Sequence, residues 1–226
     1  MHISLIVFDV NETLLDLRAL DPIFERMLGD KALRRTWFAE LLRTTLLTNL
    51  LGGYLPFDVL AGHALDTVSA MHGKAPGPEA RSAILAGLRT LPAHTDVRPA
   101  LDRLRSAGFQ LACLTNSPPD TAQTQISNAG LAEYFRAILS VHAVQRYKPA
   151  IEPYRMAADH FGIAPAAMCM VAAHDWDVAG ALHAGCRAAF VVRPGLPRSA
   201  VLAVPDIIDN NLVSIANRIV STDNDR

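Results

Sequence analysis

Asp9, Asn11 and Thr13 stand at two-residue steps behind the apolar run Leu5-Ile6-Val7-Phe8. Such a run, short and bounded, reads as a fully buried parallel strand. A carboxylate at its carboxyl end lies where open α/β sheets place their ligands, so Asp9 is a candidate nucleophile. Three further polar groups follow apolar runs: Thr115-Asn116, Lys148, and His174 to Asp177. A single polar residue after a strand is ordinarily a helix cap or a turn. Four such groups at one edge of a parallel sheet, with an Asp and a Lys on separate strands, point to a site.

The elements that must position them alternate. Beyond Val97 the pattern predicts helices over about 98–107, 120–129, 151–161, 177–184 and 212–219, with strands over 110–115, 137–140, 168–173, 188–192 and 207–208. Alternation of this kind means a parallel sheet with right-handed crossovers, a Rossmann-like α/β fold. Residues 221–226 are expected to fray.

Between Asp16 and Leu91 nothing reads as a strong strand. Asp21-Pro22 signals a helix start, with Asp21 as the cap. Further helices are expected over about 31–51, 57–71 and 78–91. Trp37, Phe38, Leu41, Leu42, Thr45 and Leu46 fall at helical spacing in the first of these, and Gly52-Gly53 stops it. The chain is therefore divided into an α/β core (residues 1–15 and 93–226) and a helical cap inserted after the first strand (16–92).

Composition narrows the function. Of 226 residues, half are hydrophobic and 19% are charged, which allows a sizeable core. A net charge of −1 provides no basic field for nucleic acid or a membrane surface. No apolar run is long enough to span a bilayer, and the N-terminus enters a strand without the pattern of a signal peptide. Cys113, Cys169 and Cys186 lie in apolar segments without CxxC spacing, which fits free thiols in a reducing cytoplasm. The remaining histidines form no spacing typical of a metal site. The apolar helix over 31–51 offers a face through which a homodimer could form.

FDVNETLLD, LTNS, YKP and VAAHDWD resemble, in order, the four motifs of the haloacid dehalogenase superfamily, and more narrowly those of the L-2-haloacid dehalogenases. The resemblance covers nearly the whole chain, cap included. Phosphatases of that superfamily carry Asp two residues after the nucleophile to protonate a leaving alcohol, where this chain has Asn11. They hold Mg²⁺ with fourth-motif carboxylates, the first of which is Ala173 here; Asp177 keeps the second, and Asp175 could partly compensate. A halide leaves without a proton.

The resemblance thus implies displacement without a metal or other cofactor. Asp9 attacks C2 of a small 2-haloacid, and water hydrolyses the ester to a 2-hydroxy acid inverted at C2. Lys148 would hold Asp9 ionised. Thr13, Thr115 and Asn116 would orient carboxylates of enzyme and substrate. Asp177 matches a residue implicated in activating water, and Tyr154 one near the substrate; Asn11 completes the expected contacts. His174 replaces a family Asn. It is either a tautomer-fixed imidazole holding water or Asp177, or a general base or pH-sensitive halide contact. A halide-cradling cap Arg is replaced by Ala39, with Arg35 and Arg43 one turn away on either side. Trp37, Phe38 and Leu42 are assigned to the cap core, Trp176 to packing behind the fourth strand, Glu12 to an outward or capping position, and Arg193-Pro194-Gly195 to a turn. Two other functions compete: a phosphatase with Glu12 or His174 as its acid, and a homologue that binds a metabolite without turnover.

Overall fold

A computed structural model describes residues 3–224. The run Leu5–Phe8 forms the inner strand β1, buried along its whole length because both faces of the sheet are covered. The other strands are β2 (Gln110–Thr115), β3 (Ala137–Ser140), β4 (Met168–Ala172), β5 (Arg187–Val191) and β6 (Ile207–Asp209). They pair in the order β3-β2-β1-β4-β5-β6, every pairing parallel. The chain builds outward from β1 to β3, then returns to lay β4 on the other side of β1. The carboxyl ends of β1 and β4 therefore border the crevice at which strand order reverses.

Side chains alternate across β1. Ile6 and Phe8 join one apolar cluster with α5 (Val97–Ser106) and α9 (Leu212–Asn224); Leu5 and Val7 join another with α7 (Ile151–His160) and α8 (Asp175–His183). The helix α6 (Pro119–Asn128) follows β2. The Rossmann-like sheet carries a helical insertion made of α1 (Asp21–Leu28), α2 (Leu33–Leu50), α3 (Phe57–Met71) and α4 (Pro78–Leu88). The chain leaves and re-enters the core at adjacent points, where Leu15 pairs with Ala93 and the Asp16 amide donates to the Pro92 carbonyl. Trp37, Phe57, Leu60 and Leu65 share the cluster of Ile6 and Phe8, so the insertion and the sheet have one continuous apolar core on that side.

Several expectations are corrected. Asp21 is the first residue of α1, not its cap, and its carboxylate goes to Arg34. Leu46 is exposed, so the buried stripe of α2 ends at Thr45. The helix α4 stops at Leu88, short of Leu91. Two carboxylates in its first turn complement the N-terminal dipole of α8, which starts at Asp175, two residues early. The expected fraying is absent from residues 221–224, which continue α9; residues 225 and 226 lie outside the described ones. No helix among the described residues is long and apolar enough to cross a membrane. All three cysteines are free and buried.

Candidate active site

Asp9 extends β1 by one residue, its amide donating to the Val171 carbonyl of β4. Lys148 Nζ donates to Asp9 Oδ1 (2.9 Å) and the Thr13 hydroxyl to Oδ2 (2.6 Å). Thr13 is itself anchored by the Ala173 amide at the end of β4 (2.9 Å). The segment can reach back because Leu14 and Leu15 donate to the Val10 carbonyl, closing a tight loop. Burial favours the neutral acid, yet the charge of Lys148 and the hydrogen bonds from His174 and Thr13 outweigh it. They hold Asp9 well below the usual carboxylate range.

One flank of Asp9 is enclosed. Lys148 Nζ uses all three protons, on Asp9, on Asp177 Oδ2 (2.6 Å) and on the Leu114 carbonyl (2.9 Å). Burial opposes its charge, but Asp177 and Asp9 raise its pKa above the ordinary lysine value. The other oxygen of Asp177 accepts from the Tyr154 hydroxyl (2.6 Å). Burial raises Asp177 itself above the usual range, and its share of Lys148 does not cancel that. Tyr154 is fully buried with its hydroxyl on Asp177, so the expected substrate contact is corrected to a brace behind the site. Asp177, expected to activate water, has both oxygens engaged and no exposed side-chain surface. Gly180 makes the close packing feasible: a Cβ there would lie 2.6 Å from the Tyr154 hydroxyl and from Pro149 Cβ.

The other flank faces a cavity. His174 Nδ1 lies 3.2 Å from Asp9 Oδ2, and Nε2 lies 3.0 Å from Glu12 Oε2. Both partners are carboxylates, so both ring nitrogens carry hydrogen. Burial disfavours a charged ring, but the hydrogen bonds to Asp9 and Glu12 push His174 up to about 10. Glu12 is not the outward-pointing residue expected. Its backbone adopts a left-handed φ of 62°, which turns the side chain inward, where Oε1 lies 3.8 Å from the Arg34 guanidinium. Trp176 is likewise corrected: it stacks on the His174 ring at 5.0 Å instead of packing behind β4, while Phe38 tilts over the ring at 6.2 Å.

The cavity, about 540 Å³, is bordered by His174, Glu12 and Trp176 from the core and by Arg35, Phe38 and Ala39 from α2. Phe38 and Leu42, assigned to the cap core, are wall residues, whereas Trp37 is buried with its indole N–H on the Ala61 carbonyl. Arg35 donates to the Gly195 carbonyl across the cleft. Arg43 pairs with Glu40 on the exposed side of α2 and does not border this cavity. Thr115 accepts from the Ser117 amide and the Asn116 side-chain oxygen from the Lys148 amide (3.1 Å), so both also fix the loop beside Lys148. Asn11 donates to Ser117 and accepts from Gln125. Arg193 does more than open a turn. It pairs with Asp96 through two nitrogens and donates to the Thr13 carbonyl, which steadies the loop behind Asp9.

These donors do not fit a divalent cation. Ala173 offers no ligand, Asp175 accepts from the Trp176 and Ser199 amides, and Asp177 is committed to Lys148 and Tyr154. Among the described residues no group of three or more His, Cys, Asp or Glu is arranged to hold a metal ion. Sequence reasoning missed Arg34, Gln125 and Asn49. The Asn49 side chain, at the end of α2, donates to and accepts from the Tyr147 backbone, beside Lys148. None has a spacing that singles it out.

Residues 3–185 match the family described as haloacid dehalogenase-like hydrolase. The chain is 28% identical over 207 residues to haloacetate dehalogenase H-2 of Moraxella sp. (strain B), covering 90% of this chain and 92% of that one. It is 28% identical over 193 residues to an (S)-2-haloacid dehalogenase of Xanthobacter autotrophicus, covering 84% and 76%. A crystal structure of an L-2-haloacid dehalogenase superposes with a TM-score of 0.92 at 27% identity, covering 97% of this chain and 99% of the other.

Proposed function

The chain belongs to the haloacid dehalogenase-like hydrolase family, and from that premise we propose that it hydrolyses short L-2-haloacids to 2-hydroxy acids inverted at C2, through an ester on Asp9. The observation that carries this is an Asp9 held ionised beside an Asn11 whose amide is turned onto Ser117 and Gln125. An ionised carboxylate suits attack on carbon, and an amide supplies no proton to a leaving alkoxide. Halide needs none.

With residues 16–92 taken as the cap over a core of 1–15 and 93–226, the substrate enters the cavity between α2 and the ends of β1 and β4. Arg35 and His174 are the cationic groups facing it, suited to the substrate carboxylate and the departing halide. Thr13 and Lys148 aim the Asp9 oxygens; Asp177 and Tyr154 hold Lys148 in place. Asp9 displaces halide from C2 on the face opposite the carbon–halogen bond. Water then adds to the Asp9 carbonyl carbon and frees the hydroxy acid, leaving one oxygen of that water in Asp9. Phosphoryl transfer with His174 as acid is less well served, because its proton is held between two carboxylates.

The test is halide release from L-2-chloropropionate and chloroacetate with chelator present, beside phosphate release from a monoester with and without Mg²⁺. A single turnover in oxygen-18 water should place the label in Asp9, and Asp9→Asn should release no halide while keeping the fold. Phosphate release that needs Mg²⁺, or an unlabelled Asp9 after halide release, overturns the proposal.

A further inference from the structure

We infer that Asn49, at the far end of α2 from the cavity wall, is a positioning residue for Lys148, and that through it the seating of the helical insertion sets how Lys148 meets Asp9. The kinetic consequence of this contact rests on the dehalogenation reading above; the contact itself does not.

Lys148 is anchored at two levels. Its ammonium lies in the core, on Asp9, Asp177 and the Leu114 carbonyl. Its backbone lies at the border between core and insertion. On the core side the Lys148 amide donates to the Asn116 side chain (3.1 Å). On the other side a single side chain of α2 takes both backbone polar groups of the preceding residue. Asn49 Nδ2 donates to the Tyr147 carbonyl (2.6 Å), and Asn49 Oδ1 accepts from the Tyr147 amide (2.9 Å). The same carbonyl accepts from the Ala150 amide, so the bond from Asn49 fills its second lone pair. A carboxylate in place of Asn49 would accept and not donate, and an apolar side chain would do neither. The contact also fastens the helix: Arg146 Nη1 donates to the Asn49 carbonyl (3.0 Å), among the last carbonyls of α2, where a positive charge is favoured.

Tyr147 belongs to the insertion as much as to the core. Its buried ring stacks on Tyr54 at 5.1 Å and meets Phe57 at 6.1 Å, and its hydroxyl donates to the Leu55 carbonyl. The residue before Lys148 is thus plugged into the corner between α2 and α3. Two residues before Tyr147, Gln145 holds a left-handed φ of 49°. A non-glycine residue keeps such a conformation only where its surroundings impose it. Here the surroundings include the bonds that Arg146 and Tyr147 make to the insertion.

The link to the cavity follows from α2 being one helix. Arg35, Phe38 and Ala39 border the cavity, and Asn49 lies ten residues beyond Ala39, about 15 Å along the same axis. A rigid helix that shifts at the wall shifts at Asn49 as well. Substrate that seats the wall against the core therefore also seats Asn49 on Tyr147, and Lys148 is set on Asp9 with the substrate in place. Asn49 makes and breaks no covalent bond, and Lys148 keeps its proton throughout.

Two measurements on the full chain test this: single-turnover halide release from L-2-chloropropionate, and amide hydrogen exchange followed by NMR without substrate. Asn49→Ala should slow ester formation by roughly 10- to 10²-fold, the penalty for a small misplacement of a reacting group. The substrate concentration at half-saturation should not change, because Asn49 does not border the cavity. In the same variant the Tyr147 amide should exchange faster while the amides of β1 keep their protection. Asn49→Asp keeps the acceptor and loses the donor, so it should fall between the wild type and Asn49→Ala in both measurements. A merely structural contact would lower the melting temperature and leave ester formation in the folded protein untouched. Ester formation at the wild-type rate in Asn49→Ala, or protection lost equally in β1, overturns the inference. Should that variant fail to fold, a wild-type rate in Asn49→Asp overturns it as well. A wild-type protein that releases no halide refutes dehalogenation, and hydrogen exchange then still decides whether Asn49 holds the Lys148 loop.

Discussion

Asp9 is flanked by two ion-pair clusters built on opposite plans. On one side Lys148, Asp177 and Tyr154 are fully enclosed, and each polar atom that meets the site is hydrogen-bonded. On the other, His174, Glu12 and Arg34 touch cavities, and one of the three sits on a left-handed backbone. Charges balance across the two sides: Lys148, His174 and Arg34 face Asp9, Asp177 and Glu12. What differs is access. An enclosed, fully paired cluster resists change and can only hold its neighbour in place. A cluster at a cavity wall can exchange protons with what enters.

The comparison breaks most sharply at Lys148. Lys148→Met leaves two carboxylates buried without their cation, which costs about 3–5 kcal/mol, and removes the group that keeps Asp9 ionised. Urea unfolding should show the loss, and halide release should fall to background. A variant of wild-type stability would mean that the enclosed flank admits water.

The two flanks should also separate by pH. His174 rises from an ordinary 6.5 to about 10 in the folded protein, so its contribution is complete below 6.5 and is lost as pH climbs through 10. Asp9 is depressed below its ordinary 3.8, so its contribution is present above that value and is lost only in acid below it. Melting temperature should therefore fall between pH 6.5 and 10 in the wild type and stay flatter over that window in His174→Asn. The acid limb below pH 4 should survive in that variant. Equal alkaline slopes would show that His174 is not charged in the fold.

A smaller effect is expected where the enclosed flank depends on a missing side chain. Gly180→Ala puts a methyl group against Pro149 and the Tyr154 hydroxyl. Overpacking of this kind costs about 1–3 kcal/mol, and here it would shift the peptide next to Lys148. A lower kcat should accompany the loss of stability, with KM little changed.

The enclosed flank was the more legible in sequence. A strand buried on both faces must be an unbroken apolar run, so Leu5–Phe8 and the Asp that follows are conspicuous; Lys148 lies eight residues past the end of β3 and was marked instead by its YKP motif. The cavity flank was not, because its features are set by tertiary closure. Glu12 turns inward because its loop folds back on Leu15, which in turn pairs with Ala93. No local signal marks a Glu for a left-handed position. Trp176 is aimed at His174 by the start of α8, and acidic residues at both 175 and 177 leave that start ambiguous by two residues. On α2, apolar and basic residues alternate closely, so spacing does not tell which arginine faces the core. Arg34 is buried on Asp21 and Glu12, Arg35 borders both cavities, and Arg43 faces solvent.

That ambiguity provides the finest test of the contrast. Arg35 reaches the cavity and donates to the Gly195 carbonyl, with no carboxylate partner among the described residues, so its charge is available to an anion. Arg43, one turn beyond Ala39, spends its charge on Glu40 at the exposed face of the same helix. Arg35→Ala should raise KM for a 2-haloacid by more than it lowers kcat, because it removes a contact present before and during displacement. Arg43→Ala should leave both constants at wild-type values. An exposed pair of this kind contributes little, and it lies outside the cavity that Arg35 borders. Were the two variants to behave alike, α2 would present a different face in the working enzyme, and the wall assigned to Phe38, Ala39 and Leu42 would have to be redrawn by a helical turn.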